Sequence, residues 1–191
     1  NGPGNGQDVA YKLVVDASGN VYVSGWSIGL GTNYDYATIK YNSGGIRQWV
    51  TRHNGTANAM DFIGSLAVDA VGNVYVTGQT AEAGSRNDYT TIKYNSAGEL
   101  KWLKKYNGTG GVDDGAGSVA VDIAGNVYVT GASMGNGTNY DYTTIKYNSL
   151  GTQLWVARYN GPAKVFDGAN SLALDGSGNV YVTGGSLGNG T

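Results

Sequence analysis

Apolar residues in this chain come in short bursts. Val14-Val15, Val21-Tyr22-Val23 and Ile39 stand apart, divided by stretches rich in Gly, Asn, Asp and Ser. No segment of useful length carries the i, i+3, i+4, i+7 apolar pattern of a helix. The pattern predicts four short strands in the first part of the chain, over residues 11–16, 21–25, 36–41 and 48–53. In the third, Tyr36, Thr38 and Lys40 alternate with Ala37, Ile39 and Tyr41. Short strands at close spacing with Gly-rich turns argue for an all-β protein. Asp16-Ala17-Ser18-Gly19-Asn20 predicts a type I turn followed by a left-handed residue, closing the first two strands into a hairpin. A second turn of the form Asn-Ser-x-Gly ends at Gly45. The connection over residues 26–33 is predicted as the longer loop between the second and third strands.

This pattern is written repeatedly. The stretch Asp-x-x-Gly-Asn-Val-Tyr-Val-(Ser/Thr)-Gly begins at Asp16, Asp69, Asp122 and Asp175, each 53 residues after the last. Its turn glycines are Gly19, Gly72, Gly125 and Gly178. Asp8 recurs as Asp61, Asp114 and Asp167, and Trp49 recurs as Trp102 and Trp155, at the same offset. Asn1-Gly2 recurs as Asn54-Gly55, Asn107-Gly108 and Asn160-Gly161. A fixed period of this length marks a repeat architecture. The units are 1–53, 54–106 and 107–159, with an incomplete fourth at 160–191. Together they make one partial repeat domain over residues 1–191.

Four antiparallel strands per unit of roughly 40–50 residues fit a β-propeller blade. The chain is therefore expected to hold about 3.6 such blades. Stacked blades bury both faces of a strand, which explains the low polar alternation of Val-Tyr-Val-Thr. Trp49, Trp102 and Trp155, each four residues after a turn glycine, are expected to wedge between neighbouring blades. The same segments, continued by Asp-Tyr-x-Thr-Ile-Lys-Tyr-Asn-Ser-x-Gly-x-x-x-Trp, resemble the SBBP family, the bacterial seven-bladed β-propeller repeat. The resemblance covers essentially the whole chain. It implies a secreted or cell-surface protein of bacterial or archaeal origin, and brings no catalytic residues with it.

Composition narrows the function classes. The net charge is −2 with only 14% charged residues and no basic stripe, which argues against nucleic acid. No apolar run is long enough to span a membrane as a helix. There is no cysteine, so disulfides, thiol chemistry and Cys-ligated metals are excluded. The 33 glycines and 15 tyrosines against 2 prolines suit many turns joining aromatic strands. The chain starts at Asn1 rather than Met, which predicts a processed product or a piece of a longer chain.

Candidate chemistry is thin. His53 is the only histidine, and its repeat equivalents are Tyr106 and Tyr159, so the slot is read as an aromatic packing position. The Asp16, Asp69, Asp122 and Asp175 series could suggest calcium. However, Ca²⁺ takes 6–8 oxygens, and the third loop position is Ser18, Val71, Ala124 or Ser177. Capping of the turn by the Asp side chain is the preferred reading. Asp113-Asp114 with Asn107 is read as an exposed acidic loop. Tyr22, Tyr75, Tyr128 and Tyr181 are expected in the core, whereas Tyr34 and Tyr140 lie near loops and are the candidates for carbohydrate. Asn54, Asn107, Asn136 and Asn189 fit the glycosylation pattern but are read as turn residues. Lys40, Lys93 and Lys146 are expected to form a solvated row. No cofactor, metal or catalytic residue is expected.

Three function classes follow. The first is a non-catalytic extracellular scaffold that supports, adheres or self-assembles. The second is a lectin-like propeller binding polysaccharide. The third is a fragment of a propeller enzyme, disfavoured because no unit differs sharply from the others. An incomplete ring exposes two blade faces and a strand edge. The expected partner is therefore a second copy of the chain or further blades of a longer one.

Overall fold

A computed structural model describes residues 2–84, 86–135 and 137–188. Asn1, Ser85, Asn136 and the last three residues lie outside them, and with them the Asn136 and Asn189 acceptor positions. The described residues form strands and turns and no helix. The first sheet holds β1 (Asp8–Val15), β2 (Val21–Ile28), β3 (Tyr34–Tyr41) and β4 (Arg47–His53). The second holds β5 (Phe62–Val68), β6 (Val74–Ala81), β7 (Asn87–Tyr94) and β8 (Leu100–Tyr106). The third holds β9 (Asp114–Val121), β10 (Val127–Met134), β11 (Tyr140–Tyr147) and β12 (Gln153–Tyr159). A two-stranded sheet, β13 (Asp167–Leu174) and β14 (Val180–Ser186), follows. Each sheet is an antiparallel meander in chain order, and none closes on itself. The sheets are propeller-type blades.

Successive blades stack. The first strands run side by side, β1 next to β5, β5 next to β9 and β9 next to β13, as in blades radiating from an axis. The pairing register shifts at the midpoint of each first strand, between Ala10 and Lys12, Ile63 and Ser65, and Ala169 and Ser171. The extra residue there is Gly64 in the second blade, where a Cβ would run into the Ala116 carbonyl oxygen of the third. A side chain would push the inner strands apart.

The strands are longer than their hydrophobic pattern suggests. β2 continues to Ile28 and β3 begins at Tyr34, with Trp26 paired to Tyr36 and Ser27 to Asp35. Trp26 is thus a strand residue, and the connection shrinks to residues 29–33. The extension runs through Gly25, Ser27 and Asp35, which have low strand propensity and hide it from a sequence reading. Cross-strand pairing and burial override that propensity.

The core lies between blades, not within one. One cluster joins Tyr22 and Tyr36 of the first blade to Ile63, Leu66, Val74, Val76, Ile92 and Tyr94 of the second. The next joins Tyr75, Tyr89 and Trp102 of the second to Val119, Val127, Val129, Ile145 and Tyr147 of the third. In these two interfaces the forward face is aromatic and the backward face mostly aliphatic, with one tyrosine, Tyr94 or Tyr147. The middle strands β6 and β10 are buried on both sides.

Candidate functional site

The repeated stretch builds a turn that is hydrogen-bonded to itself. Asp16 Oδ1 accepts the amides of Ser18 and Asn20, both at 2.9 Å. Its Oδ2 accepts Asn20 Nδ2 at 2.8 Å and the Tyr22 hydroxyl at 3.0 Å. Asp69, Asp122 and Asp175 hold their own Asn and Tyr in the same way. Gly19, Gly72, Gly125 and Gly178 take the positive φ that closes the turn. The side-chain bond from Asn20 leads the contacts that hold the Asp16 carboxyl below its ordinary value. Burial and then the bond to Asp16 push the Tyr22 phenol up to about 12. These carboxylates are committed to turn amides and phenols. No group of three or more His, Asp or Glu among the described residues is placed to hold a metal ion.

From this turn a row of side chains crosses the blade. Tyr22 pairs with Lys40, and Lys40 pairs with Trp49. The Lys40 ammonium lies 5.2 Å above the Tyr22 ring, as Lys93 does above Tyr75 and, at 4.8 Å, Lys146 above Tyr128. The row then reaches the next blade. Trp49 Nε1 and Lys40 Nζ both donate to the Ser96 carbonyl oxygen, at 3.0 and 3.4 Å. Trp102 Nε1 and Lys93 Nζ donate to the Ser149 carbonyl, at 3.1 and 3.2 Å. The lysine row is therefore no solvated face: each of these two lysines is a clamp on the following blade. The sequence carried a signal for this in the identical Lys and Trp offsets, but the acceptor sits a full repeat away. Trp155 has no such acceptor among the described residues and remains 37% exposed, so it does not wedge between blades.

Gly98 and Gly151 make room for the docked indoles. A Cβ on Gly98 would lie 2.8 Å from Trp49, and one on Gly151 would lie 2.9 Å from Trp102. Gly78, the last residue of the repeated stretch, likewise admits the Tyr36 hydroxyl, which a Cβ would meet at 2.5 Å.

A second row of polar groups lies at the opposite end of the blades. Asp61, Asp114 and Asp167 are buried. Asp61 accepts the Gly55 amide at 2.7 Å and the Ala81 amide at 2.8 Å, and its own amide donates to the Tyr34 carbonyl of the preceding blade at 2.8 Å. Asp114 repeats this with Gly108 and Met134, so it is a buried strap rather than part of an exposed acidic loop. Burial pushes the Asp61 carboxyl up to about 6. Arg158 pairs with Asp141 at 3.1 Å, and Lys105 with Glu82 at 2.5 Å. Burial acts against ionisation of Glu82, but Lys105, Thr56 and Thr80 prevail and hold its carboxyl near about 2. The recurrence of Asp8 every 53 residues was visible in the sequence, whereas its role as a strap was not.

The remaining candidates are packing groups. His53 stands edge-on to Tyr36 at 6.1 Å, as Tyr106 does to Tyr89 and Tyr159 to Tyr142. Burial lowers the His53 pKa. Tyr34 lies against Phe62 and donates its hydroxyl to Gln7 at 2.8 Å, and Tyr140 lies against Phe166. Neither ring stands free at a loop. Asn54 Nδ2 donates to Asn58 Oδ1 at 2.6 Å within its turn.

Residues 48–83 match the family model of the SBBP beta-propeller repeat. The chain carries an SBBP repeat. The matched segment runs from the last strand of the first blade into the second hairpin strand of the next. Much of the matched stretch recurs at 53-residue offsets elsewhere in the chain. No curated protein matches the chain.

The end blades differ from the inner ones in exposure at several equivalent positions. Leu13 is 60% exposed, whereas its equivalent Leu66 is 6% exposed. Tyr181 is 58% exposed, whereas Tyr75 is fully buried, so Tyr181 is not the core residue its position predicts. Its hydroxyl still bonds to Asp175 at 3.0 Å. The open face of the first blade carries a recess of about 710 Å³ lined by Val9, Val23, Gly25, Ile39, Tyr41 and Val50, among others.

Proposed function

We propose that this chain is a non-catalytic structural scaffold of SBBP repeats, acting outside the cell and associating with copies of itself. The supporting observation is the use to which its polar side chains are put. The Lys and Trp clamps hold blade to blade, while the Asp turns and the buried Asp straps hold the turns and strand ends within each blade. A catalytic site needs groups left available to a substrate, positioned against one another. Repeated blades with two exposed faces suit a module that extends by stacking. The secreted or surface location rests on the SBBP resemblance alone. Binding of polysaccharide would rest on Tyr34 and Tyr140, and both already pack against phenylalanine.

Light scattering behind size exclusion, over a range of protein concentration, tests this reading. The scaffold reading expects a mass above 19.8 kDa that rises with concentration. A single 19.8 kDa species at every concentration overturns the self-associating scaffold.

A further inference from the structure

We propose that copies of this chain dock head-to-tail, with the exposed forward face of β13–β14 seated on the exposed backward face of β1–β2 of the next copy. This rests on the scaffold reading above and specifies its contact.

The two faces match because the chain already packs them against one another internally. The forward face of β5–β6 presents Ser65, Ala67, Tyr75 and Thr77, and that of β9–β10 presents Ser118, Ala120, Tyr128 and Thr130. One repeat on, β13–β14 carries Ser171, Ala173, Tyr181 and Thr183, the same four residue types in the same order. The receiving faces show the same identity. Leu66, Val68, Val74 and Val76 of the second blade face Tyr22 and its neighbours across a buried interface. Leu13, Val15, Val21 and Val23 of the first blade are the same residues at the same offsets, with Leu13 and Val15 more than half exposed and Val21 and Val23 part-buried.

Two details fix the register. Tyr181 is held in place by its bond to Asp175 although nothing covers it, so little ordering is left to do on docking. The Ser118 hydroxyl accepts the Leu172 amide of the following blade at 3.3 Å. One repeat later the corresponding pair is Ser171 and Leu13 of the next copy.

A two-fold contact between the backward faces of two first blades is the competing arrangement. In both large buried clusters the forward face of one blade meets the backward face of the next, whose mostly aliphatic side chains include one tyrosine, Tyr94 or Tyr147, and neither cluster pairs two backward faces. A head-to-tail contact is heterologous, so it closes or grows depending on the angle between copies. Two copies closed into one ring would present about eight blade positions, within the ordinary propeller range.

Two variants test the pairing. Leu13→Arg charges the receiving face and Tyr181→Arg the inserting one. Both positions are more than half exposed, so circular dichroism and melting are expected to match the parent chain. At a concentration where the parent associates, each variant alone is expected to run at the 19.8 kDa chain mass. An equimolar mixture keeps one intact face of each kind and is expected to restore a two-chain species. The proposal falls if Tyr181→Arg associates as the parent does, or if the mixture stays monomeric. In either case the parent still associates, so the scaffold reading survives.

Discussion

The indole of Trp102 donates to the carbonyl oxygen of Ser149 at 3.1 Å, across the boundary between two blades. The two residues are separated by almost one full repeat, and the bond joins the outer edges of sheets that share no strand pairing. Trp102→Phe keeps most of the apolar area and loses the bond. It is expected to cost about 1 kcal/mol, read as a lower urea midpoint. Trp155→Phe, with no acceptor to lose, is expected to shift stability by less than ~0.5 kcal/mol.

The glycines opposite the indoles separate backbone strain from docking. Gly45 and Gly98 share the same left-handed turn position, at φ 76° and 83°. A Cβ at Gly45 meets nothing within 4 Å, whereas at Gly98 it meets Trp49. Gly45→Ala is expected to cost about 1–2 kcal/mol for the left-handed backbone alone. Gly98→Ala adds roughly 1–3 kcal/mol of overpacking. Equal costs in thermal unfolding would show that the indole does not dock there.

Removing a turn carboxylate tests what the buried tyrosine depends on. Asp69→Ala strands the amides of Val71 and Asn73 and the hydroxyl of the buried Tyr75. A loss of about 2–4 kcal/mol is expected from several unmade bonds, one of them buried. Asp175→Ala removes the same contacts around the exposed Tyr181, where water replaces them, and is expected to cost clearly less. Urea denaturation of both variants gives the comparison.

Two carboxylates set opposite pH limbs. Burial raises Asp61 to about 6, while an unfolded Asp titrates near ~3.9. The folded state holds this proton more tightly, so the Asp61 contribution is complete below ~pH 4 and is lost as pH rises through about 6. Glu82 sits at about 2 in the folded chain against an ordinary 4.5. Its contribution is present above that ordinary value and is lost as pH falls toward about 2. Urea midpoints are expected to peak near ~pH 4–5 and to decline on both sides. Glu82→Gln is expected to flatten the acid limb. A carbon NMR titration of the Asp61 carboxyl places its midpoint directly, and a value below 4 would remove the alkaline limb.

Much of this architecture was legible in the chain because the repeat averages out local ambiguity. A single Val-Tyr-Val-(Ser/Thr)-Gly is a weak strand signal, but four copies at one spacing with the same turn chemistry leave few folds. Strand ends were harder, since Gly25, Ser27 and Asp35 extend β2 and β3 against their own propensity through pairing and burial. The lysines were misread as solvent-facing because the alternation of Lys40 with Ile39 reports only that the two lie on opposite faces. It does not report what covers either face.

The sequence alone determined what is local and periodic: the hairpin turns, the strand order within each unit, the blade type and the recurrence of Asp, Gly, Lys and Trp. These follow from backbone sterics and short-range hydrogen bonds, which act within a few residues. Only the tertiary structure decided which residues meet across a full repeat: Trp49 and Lys40 on Ser96, Tyr36 against Gly78, and Asp61 on the Tyr34 carbonyl. It alone distinguished Leu13 from Leu66 and Tyr181 from Tyr75, identical by period and opposite in exposure. Burial depends on whether a neighbouring blade is present, and no residue carries that information in its own type.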